Sequence, residues 1–339
     1  MAVLDAVVNN AAWARRHAPI SMRGRRCLMW LMLPAVVLVT ACGQRDDTAM
    51  RSGAELSTGE FEQLNMDWRE RRLDRLTEPH GWLSLVGFVT LEPDSTITVG
   101  KSPDNDVVVS GGPRRWGTVR VAADGEVYFA AAEGAAVTID GEQSATARMT
   151  QGRGDEAPTQ VEAAGIRMHL VSPGGRTALR IRDPQAATRT GFAGLDYYPL
   201  DPDWRIEAEF IPHPDGTTMP VANVMGQVIE EPNPGTLRFT HQGKTITLEA
   251  VLEDDKLFVI FADRTSGRET YGLGRFLYAR LPRDNSVILD FNQAYNPPCA
   301  FNAYTTCPLP PQSNRVDAWI RAGEKKYAGK PGIEHVSPR

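Results

Sequence analysis

The chain has 339 residues, a formal net charge of −5 and 42% hydrophobic residues. That length suffices for one large or two ordinary globular domains. Residues 1–41 hold five arginines and a single aspartate, so the remainder is more acidic than the whole. This balance argues against a nucleic-acid-binding protein, because binding the phosphate backbone requires a surplus of basic side chains.

The N-terminal segment has the order of a bacterial export signal. The arginine-rich stretch 23–26 precedes an apolar run from Cys27 to Thr40. The run is too short to span a bilayer as a mature helix and is typical of a signal peptide. It ends in VTAC, which resembles the lipobox of bacterial lipoproteins. That resemblance implies that Cys42 receives a diacylglycerol and that residues 1–41 are removed.

The same segment sets the expected location. A lipid on Cys42 would anchor the protein to a membrane of the bacterial cell envelope, outside the cytoplasm. Gly43 follows the cysteine, a choice that favours the periplasmic face of the outer membrane. Translation could start at Met1 or at Met22, which directly precedes the arginine-rich stretch. Residues 42–57 are polar and predict a flexible tether between lipid and folded protein.

Besides Cys27 in the signal region and the predicted lipid site Cys42, the chain has two cysteines, Cys299 and Cys307. In an oxidising compartment such a pair predicts a disulfide, and the alternative is two buried free thiols. No CxxC, HxH or HxxxH spacing accompanies them, so the sequence predicts neither a metal site nor a cofactor.

A helix is predicted within residues 58–79. Thr58 is a suitable cap, and Phe61, Leu64 and Trp68 recur at helical spacing. After His80 the apolar residues change to a period of two in short runs rich in β-branched residues. In WRIEAEFI this places Trp204, Ile206, Ala208 and Phe210 on one face, and in KTITLEAVL it places Ile246, Leu248 and Ala250 on one face. The sequence therefore predicts an all-β protein with two antiparallel modules after one helix. The first is a sandwich over 80–185, and the second, over 186–339, is a sandwich or barrel with a proline-rich loop.

The first module resembles a degenerate forkhead-associated domain. TITVGKSPDNDVVV at 96–109 is similar to that family's glycine-basic turn, and AVTIDGE at 136–142 to a late strand and turn. The family's Ser-x-x-His motif is replaced by PRRWGTV at 113–119. The resemblance implies a β-sandwich, and the replacement implies that it does not bind phosphothreonine. Arg114 and Arg115 could still attract an anion.

A longer resemblance covers Phe61 to Lys325. The chain is similar to a bacterial family catalogued as domain of unknown function 1684. The motifs that carry this are GWLSLVGF at 81–88, DPDWRI at 201–206, ETYGLGRFLYARLP at 269–282 and LDFNQAYNPPCAFNAYTTCPLPPQSNRV at 289–316. The resemblance implies a secreted or envelope-anchored protein and supplies no activity.

Two segments hold the candidate ligand-binding residues. A long loop braced by five prolines joins the predicted strands SVILDF and VDAWIRA, and such ordered loops are often functional. Its polar candidates are Asp290, Asn292, Tyr295, Asn296, Asn302, Tyr304, Asn314 and Arg315. The turn TSGRETYGLGR adds Glu269, Tyr271 and Arg275.

Antiparallel pairing should bring these two segments together. RFLYARLP and SVILDF are separated by residues 283–285 alone, which predicts a hairpin. In that hairpin Arg275 lies near Asp290, and the two either pair or face a ligand. Glu269 could also pair with Arg275.

Three functions fit these observations. The leading hypothesis is a protein that binds a ligand or envelope partner through the C-terminal loop. The first alternative is a hydrolase of an envelope polymer or ester, with Asp290 or Glu269 as base and Arg275 or Arg315 stabilising negative charge. The second is a purely structural lipoprotein whose loop groups bond to one another. No GxSxG, HExxH or SxxK motif occurs in the sequence.

Overall fold

The N-terminal helix has a clear start in the sequence. A computed structural model describes residues 56–152 and 156–329, and its first element is α1, Thr58–Thr77, as predicted. The cap is Ser57 rather than Thr58. The Ser57 Oγ accepts from the Glu60 N–H at 3.3 Å, and the Glu60 carboxylate accepts from the Ser57 N–H at 2.9 Å. This capping box fixes the helix start, because it satisfies two otherwise unpaired N–H groups at once.

The predicted signal region lies outside the described residues. This applies to residues 1–41, to Cys42 and to all of the predicted tether except residues 56–57. Within the ranges that are described, no helix is both long enough and apolar enough to cross a membrane.

The buried face of α1 is half polar. Phe61 and Leu76 are buried together with Asn65 and Arg72, whereas Leu73 is exposed. The Arg72 Nε lies 2.8 Å from the Glu324 carboxylate, and both side chains are buried. Polar contacts near the end of the described chain therefore hold α1 in place alongside apolar packing.

The first module is a sandwich of two sheets, as predicted. Its strands are β1 Leu85–Thr90, β2 Ser95–Gly100, β3 Val107–Val108, β4 Gly117–Val121, β5 Val127–Ala131, β6 Thr138–Ile139, β7 Glu142–Gln143, β8 Thr146–Met149, β9 Val161–Ala163, β10 Ile166–Val171 and β11 Ala178–Arg182. One sheet has the order β1-β11-β10-β9-β6-β7 and the other β3-β2-β4-β5-β8. Trp116, Val119, Phe129, Leu179 and Ile181 are among the core residues between them. The pair β2–β3 is parallel, and the other ladders are antiparallel.

The second module is a nearly closed barrel. After the single turn α2, Ala187–Thr190, its strands are β12 Arg205–Pro212, β13 Thr218–Ala222, β14 Val228–Pro232, β15 Gly235–His241, β16 Lys244–Glu253, β17 Lys256–Phe261, β18 Arg275–Arg280 and β19 Ser286–Asp290. The barrel order is β18-β17-β16-β15-β12-β19. The predicted inward faces are correct: Ala208 and Phe210 on β12 meet Ile246, Leu248 and Ala250 on β16 in the core.

The predicted hairpin between β18 and β19 is wrong. Those strands lie at the two edges of the sheet and form no ladder, because β19 pairs with β12 from Arg205↔Asp290 to Glu209↔Ser286. The free edge of β18 is occupied instead by the proline loop. The Phe276 and Tyr295 backbones exchange two hydrogen bonds of 2.9 Å. The predicted strand VDAWIRA, residues 316–322, is also absent. Val316 donates to the Ala262 carbonyl and Ala318 accepts from the Arg264 N–H, and an isolated bridge joins Ala262 to Arg315 just before the segment.

The hairpin β13–β14 packs on the outside of the barrel. Met219 and Val221 of this hairpin contact Val251, Phe258 and Phe276, which point out of the barrel. β17 and β18 are consequently buried on both faces, and this explains their continuous apolar sequence.

The two modules are joined by direct contacts. Asn302 in the proline loop donates to the Leu85 carbonyl at the start of β1, at 2.6 Å. Leu76 and Leu83 pack there against Ala300 and Phe301. The proline loop thus connects α1, the sandwich and the barrel.

Candidate functional site

The candidate residues gather at one end of the barrel. This basal end is formed by the starts of β12, β16 and β18 and by the ends of β17 and β19, that is, by Arg205, Lys244, Arg275, Phe261 and Asp290. Four apolar residues from the chain after β19 enter the barrel core and close this end: Phe291, Ala294, Ile320 and Ala322. The loop is therefore anchored on both sides of its proline-rich part.

Two asparagines of the loop form hydrogen bonds with backbone N–H and C=O groups of other segments. The Asn292 amide accepts from the Asp201 N–H at 3.0 Å and donates to the Asp201 carbonyl at 2.9 Å. The Asn314 amide accepts from the Glu249 N–H at 2.7 Å and donates to the carbonyls of Glu249 and Ile260, both at 2.9 Å. An amide side chain has both a donor and an acceptor, so it can satisfy a backbone N–H and C=O together. Both asparagines are buried.

The other two asparagines tie the loop to distant parts of the chain. Asn296 Nδ2 donates to the Lys325 carbonyl at 2.8 Å, and its backbone N–H donates to Glu324. Asn302 makes the contact to Leu85 and also accepts from the Tyr304 N–H at 2.8 Å. Both side chains are buried.

Arg275 and Asp290 do not pair with each other. Arg275 is 0% exposed and donates to the Ile320 carbonyl at 2.8 Å and to that of Ala322. Its acidic neighbour is Asp263, at 3.5 Å. Asp290 instead accepts from Asn65 of α1 and from Asn292, and burial raises its pKa. Pairing of Arg275 with Asp290 was one of two alternatives that relied on a β18–β19 hairpin, and this hairpin does not form.

The ETYGLGR turn and the proline loop nevertheless meet. Tyr271 donates its hydroxyl hydrogen to the Cys299 carbonyl at 3.2 Å. Gly274 permits this approach: its φ is +96°, and a Cβ there would lie 2.5 Å from both the Phe261 oxygen and Pro310. Close backbone packing thus explains a glycine in this motif.

Glu269 does not pair with Arg275, which was one of the alternatives open from the sequence. Glu269 accepts from the Tyr198 hydroxyl at 2.8 Å and from two nitrogens of Arg321, the closer at 2.8 Å. The Arg321 guanidinium, followed by the Tyr198 hydroxyl, lowers the pKa of Glu269. The turn is therefore coupled to the segment after the proline loop rather than to β18.

The predicted disulfide is not formed. Cys299 and Cys307 are free thiols. The Cys307 Sγ instead accepts from the Cys299 backbone N–H at 3.2 Å and lies 3.6 Å from the Thr305 hydroxyl. Burial raises the pKa of the Cys307 thiol, which keeps it protonated.

The remaining loop aromatics are mostly used in packing. Tyr295 lies against Trp68, with 6.2 Å between ring centroids, and beneath the Arg72 guanidinium, at 4.6 Å. Tyr304 is half-buried. Among the eleven predicted binding residues, solvent thus reaches Arg315 and, in part, Glu269, Tyr271, Tyr295 and Tyr304. The buried members hold the fold, and their role in binding stays a prediction.

Comparisons with known proteins assign this part of the chain. Residues 190–325 match the family described as "Protein of unknown function (DUF1684)". The solution NMR structure of an uncharacterized protein from Haloarcula marismortui is 35% identical, with 40% of this chain and 78% of that chain covered and a TM-score of 0.35. The chain belongs to the DUF1684 family. A search of the curated proteins gave no match.

The DUF1684 match is shorter than the predicted span from Phe61 to Lys325. It contains the barrel, the ETYGLGR turn and the proline loop, and it leaves out α1 and the sandwich. The contacts from Arg72 and Asn302 therefore cross the boundary of the matched domain.

One exposed surface of the DUF1684 domain was not predicted from the sequence. Along residues 315–321 the side chains alternate, so that 315, 317, 319 and 321 face solvent. Trp319 is 37% exposed, with the guanidinium carbons of Arg321 and Arg268 at 4.8 and 5.6 Å from its ring centroid. We define the basic face as Lys244, Arg264, Arg268, Arg315, Trp319 and Arg321.

The basic face keeps a surplus of positive charge. Its two acidic neighbours are Asp317, which pairs with Lys244 and Arg264, and Glu269, which pairs with Arg321. Within residues 56–152 and 156–329, Arg268 and Arg315 have no acidic side chain at ion-pair distance. Five cations thus face two carboxylates. The alternation of polar and apolar residues in RVDAWIR was the one sequence signal for this exposed face. It was interpreted as a strand.

A second unpredicted feature is a pair of buried acids on the outside of the barrel. Glu231 of β14 and Glu253 of β16 are both buried, and Tyr278 donates to Glu253. Burial raises the pKa of Glu253 to about 7, and Glu231 adds to the rise. In the described part of the chain no three His, Cys, Asp or Glu side chains are grouped to hold a metal ion.

Proposed function

We propose that this DUF1684 protein is a lipid-anchored protein of the bacterial cell envelope that acts by binding an anionic partner through the basic face. The observation that carries the binding half is Trp319, exposed between the guanidinium groups of Arg268 and Arg321. An aromatic ring flanked by cations offers both apolar contact and charge to a ligand.

The charge distribution supports an anionic partner. The whole chain has a net charge of −5, whereas the basic face and its two acidic neighbours sum to a positive charge. Clustering of like charge on a protein of opposite net sign raises the local concentration of oppositely charged ligands. Arg268 and Arg315 contribute most freely, since no described carboxylate neutralises them.

The sandwich supports the domain rather than binding a phosphopeptide in this proposal. In the forkhead-like turn, Asn105 is buried and donates to the carbonyls of Ser102 and Arg114, at 2.8 and 3.0 Å. Its amide therefore braces two loops, while Arg114 and Arg115 point into solvent. These two arginines provide a comparison for the basic face.

The anchoring half is tested in the producing bacterium. Wild-type protein should fractionate with membranes and carry the mass of a diacylated chain that starts at Cys42. The variant C42S should lose that lipid and leave the membrane fraction. Unchanged mass and unchanged fractionation in C42S would reject the anchor.

The binding half is tested with fluorescently labelled inorganic polyphosphate, followed by anisotropy. Neutralising two cations of the basic face in R268Q/R315Q should weaken binding by roughly fivefold for each charge, about 1 kcal/mol apiece. The variant R114Q/R115Q removes the same charge from the sandwich and should bind like wild type. No binding by wild type, or an equal loss in both double variants, would reject the basic face as the binding surface.

A further inference from the structure

We infer that the anionic partner of the basic face is the phospholipid surface to which the chain is anchored. This inference rests on the proposed function and specifies its ligand: the headgroups of an anionic bilayer, contacted by the basal end of the barrel. Three independent features of the molecule support it.

The first feature is the chemistry of the face. Tryptophan has an apolar ring with one polar N–H, and it is enriched where lipid headgroups meet the acyl region. The exposed Trp319 ring projects from the same surface as five cations. Exposed Leu273, 43% accessible, lies in the adjoining ETYGLGR turn. Arginine and lysine near a membrane surface attract its anionic lipids.

The second feature is the separation of charge between the two ends of the barrel. The turns at the opposite end hold four exposed aspartates: Asp215, Asp254, Asp255 and Asp284. Three exposed cations, Lys256, Arg280 and Arg283, lie in or beside these turns. The barrel is thus positive at its basal end and negative at the other. A negatively charged membrane surface would orient such a body with the basal end towards it.

The third feature is the position of the anchor's attachment. α1 meets the basal end, since Asn65 donates to Asp290 at the end of β19, at 3.2 Å. Asn65 is seven residues after Thr58, about 10 Å along the helix. The chain that leads back to Cys42 therefore joins the body within about 10 Å of that contact. A membrane holding the lipid and a membrane contacting the basic face can be the same membrane.

The experiment uses the proposed mature chain without its lipid, residues 42–339 carrying Cys42→Ser. Co-sedimentation is measured with vesicles that contain phosphatidylglycerol and with vesicles of phosphatidylcholine alone. We expect binding to the anionic vesicles only, and release by salt. R268Q/R315Q should reduce the partition coefficient roughly fivefold for each charge removed, the equivalent of about 1 kcal/mol each. Adding W319A to R268Q/R315Q should reduce the partition coefficient further.

Two control variants remove negative charges, whereas the test variant removes positive ones. D254N/D255N removes charge from the far end and should leave the partition coefficient unchanged. D203N removes a carboxylate from the turn before β12, at the basal end, and should not weaken binding. If wild type does not sediment with anionic vesicles, or if R268Q/R315Q sediments as well as wild type, membrane contact through this face is rejected. Polyphosphate binding without vesicle binding would reject the membrane as partner and leave the proposed anionic binding standing.

Discussion

The buried asparagines of the proline loop and two arginines of the basic face, Arg315 and Arg321, lie in one stretch of chain, residues 290–321, but they serve opposite purposes. The amides of Asn292 and Asn314 are occupied in the interior by backbone groups and, for Asn292, also by the Asp290 carboxylate. Arg315 and Arg321 face solvent beside Trp319. The difference shows that polar residues in a loop indicate a ligand site only where the fold leaves their hydrogen-bonding groups unused.

The chemistry of the side chains accounts for the division. An amide can donate and accept, so it fits the mixed pattern of an exposed sheet edge or an irregular backbone turn. A guanidinium only donates, and burial requires several acceptors around it. Arg275 and Arg72 have such surroundings, with carbonyls and a carboxylate at hand. Arg268 and Arg315 do not, and they stay at the surface.

The largest effect should come from Arg72, the buried cation that joins α1 to the DUF1684 domain. R72M leaves the Glu324 carboxylate, 0% exposed, without its partner at 2.8 Å. An uncompensated buried charge costs about 3–5 kcal/mol, so the free energy of unfolding should fall by that amount. The measurement is urea unfolding at neutral pH. R71M changes the exposed neighbour and should stay within about 0.5 kcal/mol of wild type. Equal stability of the two variants would contradict the polar attachment of α1.

Asn314 tests the buried half of the comparison directly. N314A removes three hydrogen bonds and leaves backbone groups of Glu249 and Ile260, in strands β16 and β17, without these partners. Buried unsatisfied groups cost about 1–3 kcal/mol each, and partial relaxation reduces the sum, so we expect a loss of about 3 kcal/mol. Q312A changes an exposed residue two positions earlier and should have little effect. Thermal unfolding of both variants is the measurement.

The alternation of side chains allowed much of this architecture to be predicted. The period of two in WRIEAEFI and KTITLEAVL gave the inward faces of β12 and β16 correctly. Successive side chains of a strand point to opposite faces, so a strand with one buried face has an apolar residue at every second position. The helix was found from its spacing, and its cap was missed by one residue because Ser57 and Thr58 are both good caps.

Partners far apart in the chain could not be predicted. The hairpin failed because Tyr295 competes for the edge of β18, and nothing local in the sequence shows this competition. Asn314 was recognised as polar, but its partner Glu249 is 65 residues away. The basic face was missed since Arg268 and Trp319 meet only after the barrel end has closed. One contact between distant segments was predicted, the meeting of the ETYGLGR turn with the proline loop, but the strand pairing expected to produce it does not form.

Glu253 should make stability depend on pH. Burial raises its folded pKa to about 7, above the ordinary 4.5, so between these values the folded state holds a proton that the unfolded state has lost. The free energy of unfolding should therefore fall as pH rises from 4.5 to 7, by roughly 2–3 kcal/mol, and the Glu253 contribution should then level off.

His169 changes the free energy of unfolding in the opposite direction, so the effect of Glu253 must be obtained as a difference between variants. Burial, followed by nearby arginines, lowers the pKa of His169 to about 3, so its contribution is lost as pH falls below 6.5. The slope due to Glu253 is obtained by subtracting the pH profile of E253Q from that of wild type. E230Q, at an exposed site one residue before Glu231, is the matched control. A wild-type profile parallel to that of E253Q would show that Glu253 does not hold the proton.

Substitutions in the basic face should have the smallest effect on stability, in contrast to those of the buried loop residues. W319A and R268Q/R315Q remove side chains that are exposed and, for the two arginines, without an acidic partner in the described residues. Surface changes of this kind usually alter the free energy of unfolding by less than about 0.5 kcal/mol. W319A can reach roughly 1 kcal/mol, because part of the ring is covered and two cation–π contacts are lost. Urea unfolding of these variants beside N314A gives the answer. A loss in W319A as large as that in N314A would mean that Trp319 holds the closed end of the barrel, as Ile320 does, and the face would then belong to the structural half of the loop rather than to binding.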